Sequence, residues 1–180
     1  MKVAVFFGAG YEEIEALAVV DILRRGNVEV TMVGVKEKTV VGAHEISVNM
    51  DTTVEEINYE AFDMIVLPGG VPGVNHLMAC ESLMEALKQF KAQNKWIAAI
   101  CAAPSILGQL GLLKGEEAIC YPGYEEKLIG CKVSTKQVVV SGKIVTAKGA
   151  GVALDFGYKL LEIIQGEGLS NKIRTGMIAN

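Results

Sequence analysis

The chain has little that binds metals, nucleic acid or lipid. Two histidines, His44 and His76, serve all 180 residues, and the four cysteines, Cys80, Cys101, Cys120 and Cys131, do not cluster with them. No C-x-x-C pair occurs, so the spacings exclude an ordinary structural zinc site, and free thiols are expected. Seventeen Lys and Arg stand against 21 Asp and Glu, a net charge of -4, and no basic stripe forms, which argues against nucleic acid as a partner. No apolar run reaches the roughly 18 residues that a membrane span needs. The apolar run after Lys2 is too short for a leader and reads as a strand, so a cytoplasmic protein is expected. Repeats, low-complexity segments and linkers are also absent, and residues 1–180 read as a single domain.

About half of the chain is apolar (51%), enough for a sizeable core. Val3–Phe7 reads as a buried strand closed by Gly8-Ala9-Gly10. A helix follows over about Tyr11–Arg25, with Ile14, Leu17, Ala18 and Ile22 expected on its inner face, then a strand at Val28–Val35. Strand, helix, strand within about 35 residues is a βαβ unit with parallel strands. A short hairpin or edge strands are expected between Lys36 and Glu56. Further strands are expected at Asp63–Leu67, Trp96–Ile100, Ala118–Cys120, Lys132–Val133, Val138–Val140 and Ile144–Thr146. Helices are expected at about Glu81–Gln93, Ala103–Leu110 and Val152–Ile164, with a short last one within Leu169–Ile178. The alternation predicts an α/β fold, a doubly wound, mostly parallel sheet sandwiched by helices. Such folds bind ligands at the carboxyl ends of their strands, where this chain places Gly8-Ala9-Gly10, Pro68-Gly69-Gly70 and the turn around Cys101.

Cys101 joins an apolar strand to a helix and has small residues, Ala99 and Ala103, two positions to either side. A nucleophile elbow needs that arrangement, because bulk there would clash in the sharp turn. A helix N-terminus beside the sulfur would favour thiolate. A small cysteine packed in a tight joint satisfies the same pattern. The other three cysteines lack this setting and read as structural. Glu12, Glu13 and Glu15 open the first helix, where acids offset the helix dipole by about 0.3–1 kcal/mol each. Gly69 and Gly70 offer unobstructed N–H groups that suit an oxyanion hole or an ordinary βα turn. The Ala102 N–H is a further donor of the same kind.

The segment Ile97-Ala98-Ala99-Ile100-Cys101-Ala102-Ala103-Pro104 resembles the cysteine motif of the ThiJ/PfpI superfamily, more narrowly its DJ-one and bacterial ThiJ-like branch. The likeness extends to Gly10-Tyr11-Glu12-Glu13-Ile14-Glu15, to Val66-Leu67-Pro68-Gly69-Gly70 and to Lys148-Gly149-Ala150-Gly151, in the same order along nearly the whole chain. The resemblance implies a flavodoxin-like, class I amidotransferase-like fold and a homodimer. It implies a reactive Cys101 with Glu15 as the acid that reaches its sulfur. A protonated Glu15 would hold the thiolate by a hydrogen bond and carry protons to substrate. The two would titrate as a unit. The pattern departs from the family at Tyr121, before Pro122, where many members have His. That removes the Cys–His pair that a protease or amidotransferase requires. Tyr121 remains a candidate pocket residue. The resemblance places His44 near the active site of the partner subunit and Arg25 near the dimer boundary, where together they would form a weak anion site across a two-fold interface. Each also reads as a solvated surface charge. His76 lies just past the Pro-Gly-Gly turn and is a weak substitute for the missing base.

The resemblance therefore implies a cofactor-free glyoxalase or deglycase that acts on reactive dicarbonyls or on glycated protein or nucleotide. A redox-sensing stress protein uses the same residues, since an accessible thiolate oxidises readily. A holdase-type chaperone or dimeric scaffold is the reading that would survive loss of Cys101. No metal ligand cluster and no phosphate loop occurs in the sequence.

Overall fold

The computed structural model describes residues 1–179. Strand β1 (Lys2–Phe7) leads to helix α1 (Glu13–Arg25) and β2 (Glu29–Gly34). Short strands β3 (Thr39–Val41), β4 (Ser47–Asn49) and β5 (Thr52–Thr53) follow, then β6 (Met64–Leu67), α2 (Val71–Met78), α3 (Glu81–Ala92), β7 (Trp96–Ile100) and α4 (Pro104–Gln109). Next come β8 (Glu117–Ala118), β9 (Lys132–Val133), β10 (Val138–Ser141), β11 (Ile144–Ala147), α5 (Ala153–Gln165) and α6 (Glu167–Gly176).

Seven strands form one sheet in the order β10-β11-β7-β6-β1-β2-β5. All neighbours are parallel except the antiparallel pair β10–β11, joined at the Ser141-Gly142 turn. Side chains alternate between the two faces. Val3, Val5 and Phe7 pack with Val19, Ile22, Phe156 and Leu160 of α1 and α5, whereas Ala4 and Phe6 pack with Leu77, Leu83, Leu87 and Leu107 of α2, α3 and α4. Covering both faces is what makes the central strands apolar throughout. This is the doubly wound, mostly parallel α/β fold expected from the alternation.

Several local expectations are corrected. Ile14 is 58% exposed, and the inner face of α1 is Ala16, Val19, Val20, Ile22 and Leu23, joined by the buried Glu13 and Glu15. The first turn rotates this way because two carboxylates have internal partners. Helix α2 was not expected: the Pro-Gly-Gly turn and Gly73 mask it. Its signals are Pro72 in the first turn and the buried pair Val74 and Leu77 at helical spacing. The expected strand at Ala118–Cys120 is Glu117–Ala118, paired in parallel with Lys132–Val133 outside the main sheet. The hairpin in 36–56 is β3–β4. The last long helix turns Phe156 and Leu160, fully buried, and Ile163, half-buried, toward the same core, as their helical spacing implies.

The sheet order reverses at β1 and β6: β2 lies on one side of this pair and β7 on the other. Ligand sites in this architecture open at such a point, at the carboxyl ends of the strands. Glu15 follows β1, Gly69 follows β6 and Cys101 follows β7.

Candidate active site

Cys101 follows β7 directly, with φ at +65°, a left-handed conformation that costs a non-glycine residue on the order of 1–3 kcal/mol. The surroundings hold it there. Its N–H donates to Ala147 O at 3.0 Å, and its carbonyl accepts the Tyr121 N–H at 2.7 Å. Ala99, Ala102 and Ala103 are buried around it, so the small residues that flank the cysteine are a requirement of the turn. The elbow geometry is therefore present.

Glu15 is 1% exposed. Its Oε2 accepts the Gly69 N–H at 2.8 Å, and Gly69 O in turn accepts the Glu12 N–H at 3.0 Å. These two bonds fix the first turn of α1 against the end of β6. Glu15 Oε1 is buried and has no hydrogen-bond partner among the described residues. The carboxyl lies against the Cys101 thiol. A Cβ on Gly69 would sit 2.6 Å from Cys101 Cβ and 3.1 Å from Sγ and would overlap Glu15 Oε2. Only glycine leaves room for both groups.

Burial pushes the Glu15 carboxyl up to about 7, against the lowering contributions of the Cys101 thiol and the Gly69 N–H. Burial, then the Glu15 charge, push the Cys101 thiol up to about 12, against the N–H groups of Ala102 and Gly70. The two groups titrate together, so the pair carries one negative charge between these values. The thiolate is thus not favoured by a helix N-terminus, as the sequence suggested. Helix α4 begins three residues later and is only six residues long. The groups at the sulfur are two amides and a carboxyl.

The three amides proposed for an oxyanion hole divide. The Gly69 N–H is taken by Glu15, whereas the N–H groups of Gly70 and Ala102 face the sulfur. Gly70 has φ at +84°, and a Cβ there would lie 2.5 Å from Gly10 O and Glu12 N. Tyr121 is 51% exposed, and its ring lies over Gly149. It meets the elbow through its backbone N–H. His44 and Arg25, expected to form an anion site across a two-fold interface, lie apart within one chain. They sit at opposite ends of α1, His44 over its first turn and Arg25 in its last, where Arg25 Nε donates to Asp21 at 2.7 Å. His44 instead faces carboxylates, with Nδ1 at 2.9 Å from Glu13 Oε2 and 3.7 Å from Glu12 Oε1. Glu12, Glu13 and His44 are the grouping among the described residues whose potential metal-ligand atoms converge, within 4.8 Å, and an ion pair accounts for it. His76 Nδ1 lies 2.9 Å from Ala9 O. The four cysteines are free thiols, with Cys120 buried.

Glu13 is the residue whose part in this region the sequence concealed. It is 5% exposed, and its Oε1 accepts the His44 N–H at 2.7 Å. Together with Gly10 N–H to Val41 O and Ala43 N–H to Tyr11 O, both 2.8 Å, it clamps the β3–β4 hairpin onto the segment that carries Glu15. An acid in a first turn gives no sign of such a long-range partner.

The family model described as the DJ-1/PfpI family matches residues 1–163. The chain belongs to the DJ-1/PfpI family. Among its family relatives, Protein DJ-1 homolog B of Arabidopsis thaliana is 38% identical over 169 residues, which are 92% of this chain and 39% of that protein. The chain thus spans about two fifths of that relative's length. Glutathione-independent glyoxalase DJR-1.2 of Caenorhabditis elegans is 32% identical over 164 residues, 90% of this chain and 87% of the relative. The solved structure of oxidized Toxoplasma gondii DJ-1 superimposes with a TM-score of 0.95 at 36% identity, covering 99% of this chain and 98% of that one. The family's flavodoxin-like sheet is the one described above. Among the described residues, no helix is long and apolar enough to cross a membrane.

Proposed function

We propose that the chain is a cofactor-free, cysteine-dependent glyoxalase that converts a small 2-oxoaldehyde to a 2-hydroxy acid. The observation that carries this reading is the Cys101–Glu15 pair, a strained elbow thiol against a buried carboxyl with one unpartnered oxygen. The name of the Caenorhabditis elegans relative supports the substrate class.

With methylglyoxal the steps balance as follows. The sulfur adds to the aldehyde carbon, a C–S bond forms, and the oxygen takes the pair's proton to give a hemithioacetal. The Gly70 and Ala102 N–H groups stabilise charge that develops on that oxygen. The Glu15 carboxylate removes the C1 proton and passes it to the C2 oxygen, giving an enediol, then takes the C1 hydroxyl proton and delivers it to C2. The product is a lactoyl thioester on Cys101. Water cleaves it, the C–S bond breaks, and lactate leaves with the thiol restored. The sum is one dicarbonyl plus one water giving one hydroxy acid, with no external oxidant. A carboxyl whose pKa lies near 7 suits a group that must both take and give a proton. Tyr121 stands where a histidine base would complete a Cys–His hydrolase, and a tyrosine is a poor base near neutrality.

The test is lactate formation from methylglyoxal by purified chain beside Cys101→Ser and Glu15→Gln. Turnover in the wild type that both variants lose supports the proposal. A wild type no faster than buffer ends it. The reading to take up then is oxidation sensing, in which the Gly70 and Ala102 N–H groups hold an oxidised sulfur. Mass spectrometry of Cys101 after dilute peroxide would follow it.

A further inference from the structure

The Gly8-Ala9-Gly10 turn and His76 take no part in the cysteine site, yet they meet at a second pocket. A cavity of about 230 Å³ opens at the carboxyl ends of β1 and β2, with Phe7, Val35 and Val40 as its apolar floor and Ala9, Thr39 and His76 in its walls. Phe7, Val35 and Val40 are all buried. The Cys101 elbow lies on β7, and β6 separates that strand from β1. At about 4.8 Å per strand, the two sites are roughly 10–15 Å apart.

Most polar groups of the wall are already paired. Gly10 N–H donates to Val41 O at 2.8 Å, Val35 N–H to Phe7 O at 3.0 Å, and Thr39 Oγ1 bonds Asn49 Oδ1 at 2.9 Å. His76 is oriented by one of its two ring nitrogens. Its Nδ1 lies 2.9 Å from Ala9 O, and a carbonyl can only accept. Nδ1 must therefore carry the proton, and in the neutral ring Nε2 is an acceptor. Among the described residues Nε2 has no partner. Lys36 and Glu37 also line the cavity, and their opposite charges favour an uncharged ligand over an ion. An apolar cavity with one oriented polar group is the usual form of a small-molecule site. A cavity of about 150 Å³ suffices for benzene, so this one has room for one or two rings.

From this geometry we propose a binding site for a neutral one- or two-ring compound that donates a single N–H or O–H hydrogen bond to His76 Nε2. The site is independent of the reading of Cys101.

The probes are indole and its isostere benzothiophene, which lacks the N–H, titrated into the full chain and followed by methyl and amide NMR. Indole is expected to bind saturably, shifting the methyls of Val35 and Val40 and the His76 ring. Benzothiophene is expected to bind about tenfold more weakly, because it leaves the acceptor unpaired. His76→Phe keeps a ring in the wall and removes the acceptor, and it should erase the preference. Three results overturn the proposal: no saturable shifts, equal affinity of the two probes, or shifts centred on Gly69, Gly70 and Ala102. A preference that survives in His76→Phe overturns it as well. The two-probe comparison uses wild type alone and stands if the variant does not fold.

Discussion

Glu15 and Gly69 hold one another: Glu15 Oε2 accepts the Gly69 N–H at 2.8 Å, and the missing Cβ of Gly69 is what lets that carboxyl lie against Cys101. Gly69→Ala would force a methyl group to within 2.6 Å of Cys101 Cβ. The variant should lose activity and about 1–3 kcal/mol of stability, read from turnover and from urea unfolding. Gly168→Ala, in α6 with open space around it, is the control and should be neutral or slightly stabilising. Equal effects at the two positions would contradict the packing argument.

Glu15 gives stability a pH dependence with a defined sign. Its folded pKa is raised, from an ordinary 4.5 to about 7, because burial disfavours the charge. The folded state therefore binds the proton more tightly than the unfolded state, and this contribution to stability, complete below 4.5, is lost as pH rises to about 7. Glu15→Gln has no charge to bury. It should gain on the wild type by about 1–3 kcal/mol between pH 5 and pH 8. Parallel unfolding curves at the two pH values would show that the carboxyl is not a buried acid.

The coupled titration of the pair predicts how Cys101 reacts. Alkylation by iodoacetamide should rise in a step near pH 7, as the pair loses its first proton, with a further rise only toward 12. In Glu15→Gln the lower step should vanish. A step that persists in that variant would assign it to another group.

Glu13 and His44 should act on the hairpin. Glu13 is buried, which raises its pKa, but the His44 side chain and the amides it accepts from outweigh this and lower it; the Glu13 hydrogen bond raises that of His44. The Glu13 contribution is therefore lost in acid, as pH falls below 4.5 through its folded pKa. The His44 contribution is lost as pH rises above 6.5 through its own. Glu13→Gln should speed amide exchange over residues 42–46 and cost about 1–3 kcal/mol, since it weakens the buried acceptor. Unchanged exchange in that loop would remove the clamp.

Tyr121 acts on the elbow through its backbone N–H, so Tyr121→Phe should keep turnover within about threefold of wild type. A loss of a hundredfold in kcat would mean that the hydroxyl takes part in proton transfer.

The sequence carried the fold well wherever one strand or helix decides its own pattern. The runs at Val3–Phe7, Met64–Leu67 and Trp96–Ile100 are apolar because both faces of a parallel strand are covered, and that is visible locally. It misjudged Ile14 and missed α2, where a neighbouring element sets the rotation of a turn or where glycine and proline serve a helix start. The same division holds at the site. The small residues around Cys101 announce the elbow, since a sharp turn excludes bulk through neighbours in sequence. Which amide belongs to the carboxyl and which to the sulfur, how high burial lifts the pair, and that Glu13 holds the hairpin depend on groups far apart in the chain. Hydrogen-bond direction and desolvation exist only once β1, β6 and β7 are side by side, and tertiary structure alone decides them.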